Sequence, residues 1–189
     1  MFEYIGVLIS VILGLGMTHL AVGMSKLIQE RETIRHYWVH MLWTLNVLIH
    51  ILAIWWGMYW WNDLPEWTVF QYLFITLYSV VLFLLAAMLY PWDMSKNEDF
   101  RDYFFRNRVW FFSIMLVAWL IDIPETLFKS TSSLRETPTD YALFISSLLV
   151  ICCVGIVTAN RRVHAVLPFA WILIVVGYLS FTTLAKIAE

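Results

Sequence analysis

Residues 109–128, VWFFSIMLVAWLIDIPETLF, decide the fold. The apolar part, Val109 to Ile121, is 13 residues long and as a helix would reach only about 20 Å at 1.5 Å per residue. A hydrocarbon core about 30 Å thick takes about 20 helical residues to cross. The segment is therefore long enough for a bilayer only if its helix runs on through Asp122, Pro124 and Glu125 to Phe128. On that reading two carboxylates enter the span three residues apart, on one helix face.

The rest of the chain makes the transmembrane reading the economical one. Five more apolar runs, roughly 4–28, 37–61, 67–90, 141–159 and 163–185, satisfy the same length rule and are separated by polar or proline-containing breaks. None has the period-2 alternation of a barrel strand, and backbone groups in lipid must be satisfied within their own segment, so helices are expected. The expected architecture is an all-α polytopic membrane protein of six transmembrane helices in a single domain, 1–189. Apolar residues make up 61% of the chain and charged residues 14%, against about a quarter charged in soluble domains. Mean hydropathy is +0.74. A formal charge of −2 gives no basic excess for binding nucleic acid. The two cysteines, Cys152 and Cys153, are adjacent on a helix and diverge by about 100°, so they do not bridge. The first apolar run starts after Glu3 with no Lys or Arg before it and exceeds a signal-peptide core, so it is read as a retained helix.

Nine of the twelve basic residues, Lys26, Arg31, Arg35, Lys96, Arg101, Arg106, Arg108, Arg161 and Arg162, fall in the loops after spans one, three and five. Lys and Arg are retained on the cytoplasmic side, which predicts both termini outside and insertion in a bacterial inner membrane. Trp55, Trp56, Tyr59, Trp60, Trp61 and Trp67 then form an aromatic belt around the outer turn 62–66. Between spans three and four, Ser95-Lys96-Asn97-Glu98 has capping-box spacing, and Phe100, Tyr103 and Phe104 follow at helical intervals. An amphipathic helix over about 96–106 on the inner surface is expected. Phe100, Tyr103, Phe104, Arg106 and Arg108 would meet lipid or a cytoplasmic partner at 95–108, and Arg161 and Arg162 would attract anionic lipid.

The motifs Arg35-His36-Tyr37-Trp38, Arg108-Val109-Trp110 and Arg162-Val163-His164 each open a returning span, which suggests three repeated helical hairpins. The positive-inside and aromatic-belt rules alone would also generate this pattern. His36, His40 and His164 are expected to face water or headgroups at the inner interface.

Ionisable groups within a bilayer are costly and normally face protein or water. His50 lies as deep into the second span as Asp122 does into the fourth, so the two can meet if those helices are neighbours. Asn46 sits one turn further in, and His19 and Thr18 in the first span lie near that depth. The functional reading is a proton, cation or substrate site of Asp122, Glu125 and His50, continued inward by Asn46, His19 and Thr18. The alternative is a structural hydrogen-bond cluster with a helix end frayed at Pro124. The first span also carries Gly6, Ser10, Gly14 and Thr18 at four-residue spacing, with Gly16 and Gly23 flanking His19. These small residues predict close packing, within the bundle or between subunits.

No nucleophile elbow, H-E-x-x-H, C-x-x-C or Walker pattern occurs. No cofactor is expected: the histidines differ in depth for a bis-histidine haem, and no local spacing enforces a zinc or iron site. A small proton- or cation-coupled transporter or channel is the leading reading, with a homo-oligomer as the working unit because six short helices enclose little volume. A non-enzymatic sensor, assembly or defence component is the second reading, and a metal- or haem-binding membrane enzyme the third.

Overall fold

The structure, a computed structural model, describes residues 2–63, 66–93, 99–129 and 138–188. Six helices make up the fold: α1 (Phe2–Gln29), α2 (Trp38–Gly57), α3 (Val69–Ala87), α4 (Phe100–Lys129), α5 (Pro138–Val157) and α6 (Arg161–Ala188). A 3-10 helix, Met58–Asp63, extends α2. Among the described residues there are no strands, only an isolated bridge between Arg35 and Asp99. All six helices are long and apolar enough to cross a membrane.

The capping-box residues Ser95 to Glu98 lie outside the described residues, whereas the aromatic segment after them is described and differs from expectation. It forms the first turns of α4, which is continuous over 30 residues, roughly 45 Å at 1.5 Å per residue. Phe100, Tyr103 and Phe104 are buried, so they are not a lipid or partner surface. Phe100 packs among His40, Tyr90 and Tyr103, and Phe104 packs against Tyr37, Phe111 and His164. A stripe of this kind seats a helix on its own bundle as readily as on lipid, and here the ends of α2, α3 and α6 cover it. Arg108 also turns inward, its Nε donating to the Thr158 carbonyl at the end of α5. Arg106 stays exposed above the Tyr103 ring.

α1 packs along α3, α4 along both α3 and α5, and α2 reaches α1, α3, α4 and α6. The returning helices α2, α4 and α6 meet centrally through His50, Trp119 and Trp171, whose rings are in mutual contact. The three hairpins are nevertheless not packed equivalently, because α1 lies on α3 while α5 lies on α4.

Small residues divide by face. A Cβ at Gly16 would lie 3.6 Å from Ala86 and Ile51, and one at Gly23 would overlap the Tyr90 ring. A Cβ at Gly6 or Gly14 would meet nothing within 4 Å. Gly6, Ser10 and Gly14 therefore do not form the internal seam. They differ from Gly16 and Gly23 in helical phase, and Ser10 is covered only by the indole of Trp55, whose Nε1 donates to its Oγ at 3.3 Å.

Histidine placement differs as well. His40 and His164 are buried, and only His36 is exposed. Their imidazoles satisfy helix ends: His40 Nε2 donates to the Leu89 carbonyl at 2.6 Å and His164 Nε2 to that of Thr158 at 2.8 Å. The last carbonyls of a helix have no intrahelical partner, and a buried helix end has to find donors elsewhere.

Candidate functional site

Helix α4 passes without interruption through Asp122, Pro124 and Glu125 to Lys129. Pro124 withholds the N–H that the Leu120 carbonyl would accept, yet the helix does not end there. Asp122 and Glu125 both lie on the buried face, 7% and 1% exposed. Glu125 is thus not a frayed, water-facing residue.

Asp122 binds three helices together. Tyr78 Oη of α3 donates to its Oδ1 at 3.3 Å, and Tyr141 Oη of α5 donates to Oδ2 at 3.0 Å. Thr126 Oγ1, one turn along α4, approaches Oδ2 at 3.4 Å. Glu125 faces the 3-10 helix after α2: its Oε1 accepts from Trp61 Nε1 at 2.8 Å and pairs with Lys129 of its own helix. Trp61 is fully buried. It is not free to serve in the expected aromatic belt, since an indole N–H out of water needs an acceptor and Glu125 supplies one. Trp55, Trp56 and Tyr59 are exposed. Among the described residues Lys129 is the one cation paired with this carboxylate pair. Two desolvated carboxylates beside one ammonium leave an excess negative charge if all are ionised, which a proton or a cation would neutralise.

Helices α2 and α4 are neighbours, as a meeting of His50 and Asp122 requires, but the two side chains are not hydrogen-bonded. His50 lies flat on Trp119, one turn from Asp122 toward the N-terminal end of α4, with ring centroids 4.2 Å apart and planes within 6°. Both His50 ring nitrogens lack a hydrogen-bond partner, as do Trp119 Nε1, Trp171 Nε1 and Asn46 Oδ1. Asn46 Nδ2 donates to the Pro168 carbonyl of α6 at 2.9 Å. Orphaned buried polar atoms are uncommon in folded proteins and are typically satisfied by water or a ligand. Here five of them lie among helices α2, α4 and α6, on the side of Asp122 toward the N-terminal end of α4.

His19 and Thr18 do not join this site. His19 Nε2 donates to the Tyr90 carbonyl at 3.0 Å and its ring packs on Trp92. With Thr18, Lys26 and Phe83 it lines a separate outward groove of about 390 Å³ between α1 and α3. Depth along a span was readable from sequence, but the azimuth that sends His19 to α3 was not. The tyrosines Tyr78 and Tyr141 were missed altogether. Their only signal was a phenol deep in an apolar run, where a hydroxyl requires a partner.

Among the described residues no group of three His, Cys, Asp or Glu side chains is arranged to hold a metal ion. Cys152 and Cys153 are free, one buried and one exposed. No protein-family model matches the sequence, and no curated protein or solved structure shows significant similarity to it.

Proposed function

We propose that this protein is a small proton- or cation-coupled transporter or channel of a bacterial inner membrane, with Asp122 and Glu125 as its ion-accepting groups. Both termini face outward, and the arginine-bearing ends of the helices face the cytoplasm, as the basic loops require. The observation that carries the reading is the buried carboxylate pair, compensated among the described residues by Lys129 and followed inward by the unpartnered polar atoms of His50, Asn46, Trp119 and Trp171. Groups of this kind are expensive in a membrane interior and mark ion or proton paths. Water entering at the orphaned atoms would extend the path from Asp122 toward the cytoplasm. The outward small-residue face of Gly6 and Gly14 supports a homo-oligomer, because it allows a second helix to approach closely.

The test is proton uptake into liposomes that hold the purified protein and a pH-sensitive dye, driven by a potassium diffusion potential. Wild-type protein is expected to exceed the protein-free rate. Asp122→Asn is expected to return uptake to that background, and His50→Phe, which keeps a ring on Trp119 but removes both nitrogens, to lower it sharply. Uptake unchanged in both variants, or wild-type uptake at background for protons and for monovalent cations alike, would sink the reading.

A further inference from the structure

At the end of the bundle opposite the carboxylate pair, a concave basin of about 510 Å³ is lined by Arg35, Arg101, Arg161, Arg162, His36 and Tyr37. Four arginines from three separate parts of the fold line one space. Among the described residues Asp99 is the one carboxylate in its wall, 4.0 Å from Arg35 and 3.8 Å from Arg101. Arg101 also reaches Asp102 outside the basin. Arg161 and Arg162 have no carboxylate partner among the described residues, and both Arg161 and Arg101 bear electrostatically on the Tyr37 hydroxyl. Positive charge in excess on a concave wall, here four arginines beside Asp99 among the described residues, raises the local concentration of anions.

The helix ends around the basin are finished unequally. Asp99 caps α4 by accepting from the Arg101 N–H at 2.9 Å, and Asn160 caps α6 by accepting from the Arg162 N–H at 2.9 Å. α2 begins at Tyr37 with no side-chain cap. The first-turn N–H groups of a helix have no intrahelical partner, and Tyr37, Trp38 and Val39 at this helix start line the basin. A helix start beside several arginines suits a phosphate, which accepts from both. The rim is held in place, since the Phe100 N–H donates to the Arg35 carbonyl at 3.1 Å and ties the α1–α2 loop to α4.

One side of the basin continues onto the apolar surface. Trp38 and Phe169, both about half exposed, pack against each other with ring centroids 5.9 Å apart, next to Arg35 and the arginines of α6. An occupant with a phosphate head and an apolar tail would place the head among the arginines and the tail along this aromatic pair.

We propose that the basin binds the phosphate of an anionic phospholipid headgroup, with Arg161, Arg162 and Arg101 as phosphate ligands and Trp38 and Phe169 bordering the acyl chains. This inference rests on the bundle lying in a bilayer with this end at the headgroups. It does not depend on ion transport, and a binding experiment can fail or succeed independently of the flux measurement.

The test uses the full chain in a neutral detergent, titrated with dioctanoyl phosphatidic acid, dioctanoyl phosphatidylcholine or inorganic phosphate and read by thermal stability and by native mass spectrometry. Saturable binding of the anionic lipid is expected, with weaker binding of the other two probes. The double variant Arg161→Gln/Arg162→Gln is expected to weaken it by roughly tenfold or more, as the loss of charge-assisted hydrogen bonds implies. The double Lys variant should retain a large part of the affinity, and Arg31→Gln, on the same loop as Arg35 but outside the basin, should leave it unchanged. Circular dichroism of each variant monitors the fold. Affinity for the anionic lipid that is the same in the Gln double variant overturns the site. Phosphate binding as tightly as the lipid overturns the lipid assignment and makes the basin a site for a soluble phosphate.

Discussion

A methyl group at Gly23 would overlap the ring of Tyr90, and one at Gly155 would come 2.6 Å from the ring of Phe112. Both rings are buried, at 1% and 0% exposure. Overpacking of this kind costs about 1–3 kcal/mol. Gly23→Ala and Gly155→Ala are therefore expected to lower the thermal midpoint in detergent, whereas Gly6→Ala and Gly14→Ala, which meet open space, should not. Equal midpoints for Gly23→Ala and Gly6→Ala would show that Tyr90 does not press on α1. At this scale sequence was a partial guide. It marked all these glycines as small, but only the neighbour across the interface separates a packing glycine from an outward one. His50 and Asp122 carry the same lesson: their equal depth was countable along the chain, while the rotation that turns one to Trp119 and the other to Tyr78 and Tyr141 depends on how three helices pack.

The C-terminal end of α3 shows how one element is completed by others. Its trailing carbonyls at Met88, Leu89 and Tyr90 accept from Tyr103 Oη, His40 Nε2 and His19 Nε2. Pro91 follows, where a helix has already stopped. Three donors from α4, α2 and α1 thus satisfy one buried helix end. His40→Leu would leave the Leu89 carbonyl without its donor, at a cost of about 1–3 kcal/mol. The expected result is a lower midpoint for His40→Leu, partly restored in His40→Gln, whose amide can still donate. A midpoint equal to wild type in His40→Leu would show that the carbonyl finds another partner. The N-terminal end of α3 is closed by a capping box that the sequence reading did not single out, Thr68-Val69-Phe70-Gln71, with Gln71 N–H donating to Thr68 Oγ1 at 3.2 Å and Thr68 N–H to Gln71 Oε1 at 2.9 Å. The continuity of α4 was not legible either. Its charged first turns read as a separate surface helix because a hydropathy pattern does not say whether an aromatic stripe faces lipid or protein.

At the scale of the whole molecule, six helices long and apolar enough to cross a membrane would, if each crosses, put both ends of the chain on one side. Topology reporters fused to the N-terminus and to the C-terminus are expected to be active on the same, outer face, and a reporter inserted after Glu32 on the opposite one. Reporters at the two ends on opposite faces would require an odd number of crossings and would overturn the six-helix count. That count was available from the sequence because the cost of placing backbone and side chains in lipid is summed residue by residue along the chain. The same additive logic required α4 to include Asp122 and Glu125. Only the tertiary structure decided what those carboxylates touch, that Trp61 donates to Glu125, that His19 belongs to α3, and that the arginines of three loops share one basin. These features depend on helix azimuth and neighbour identity, which are set by side-chain packing between helices distant in sequence. Hydropathy fixes how far along a helix a residue lies, and packing fixes which way it points.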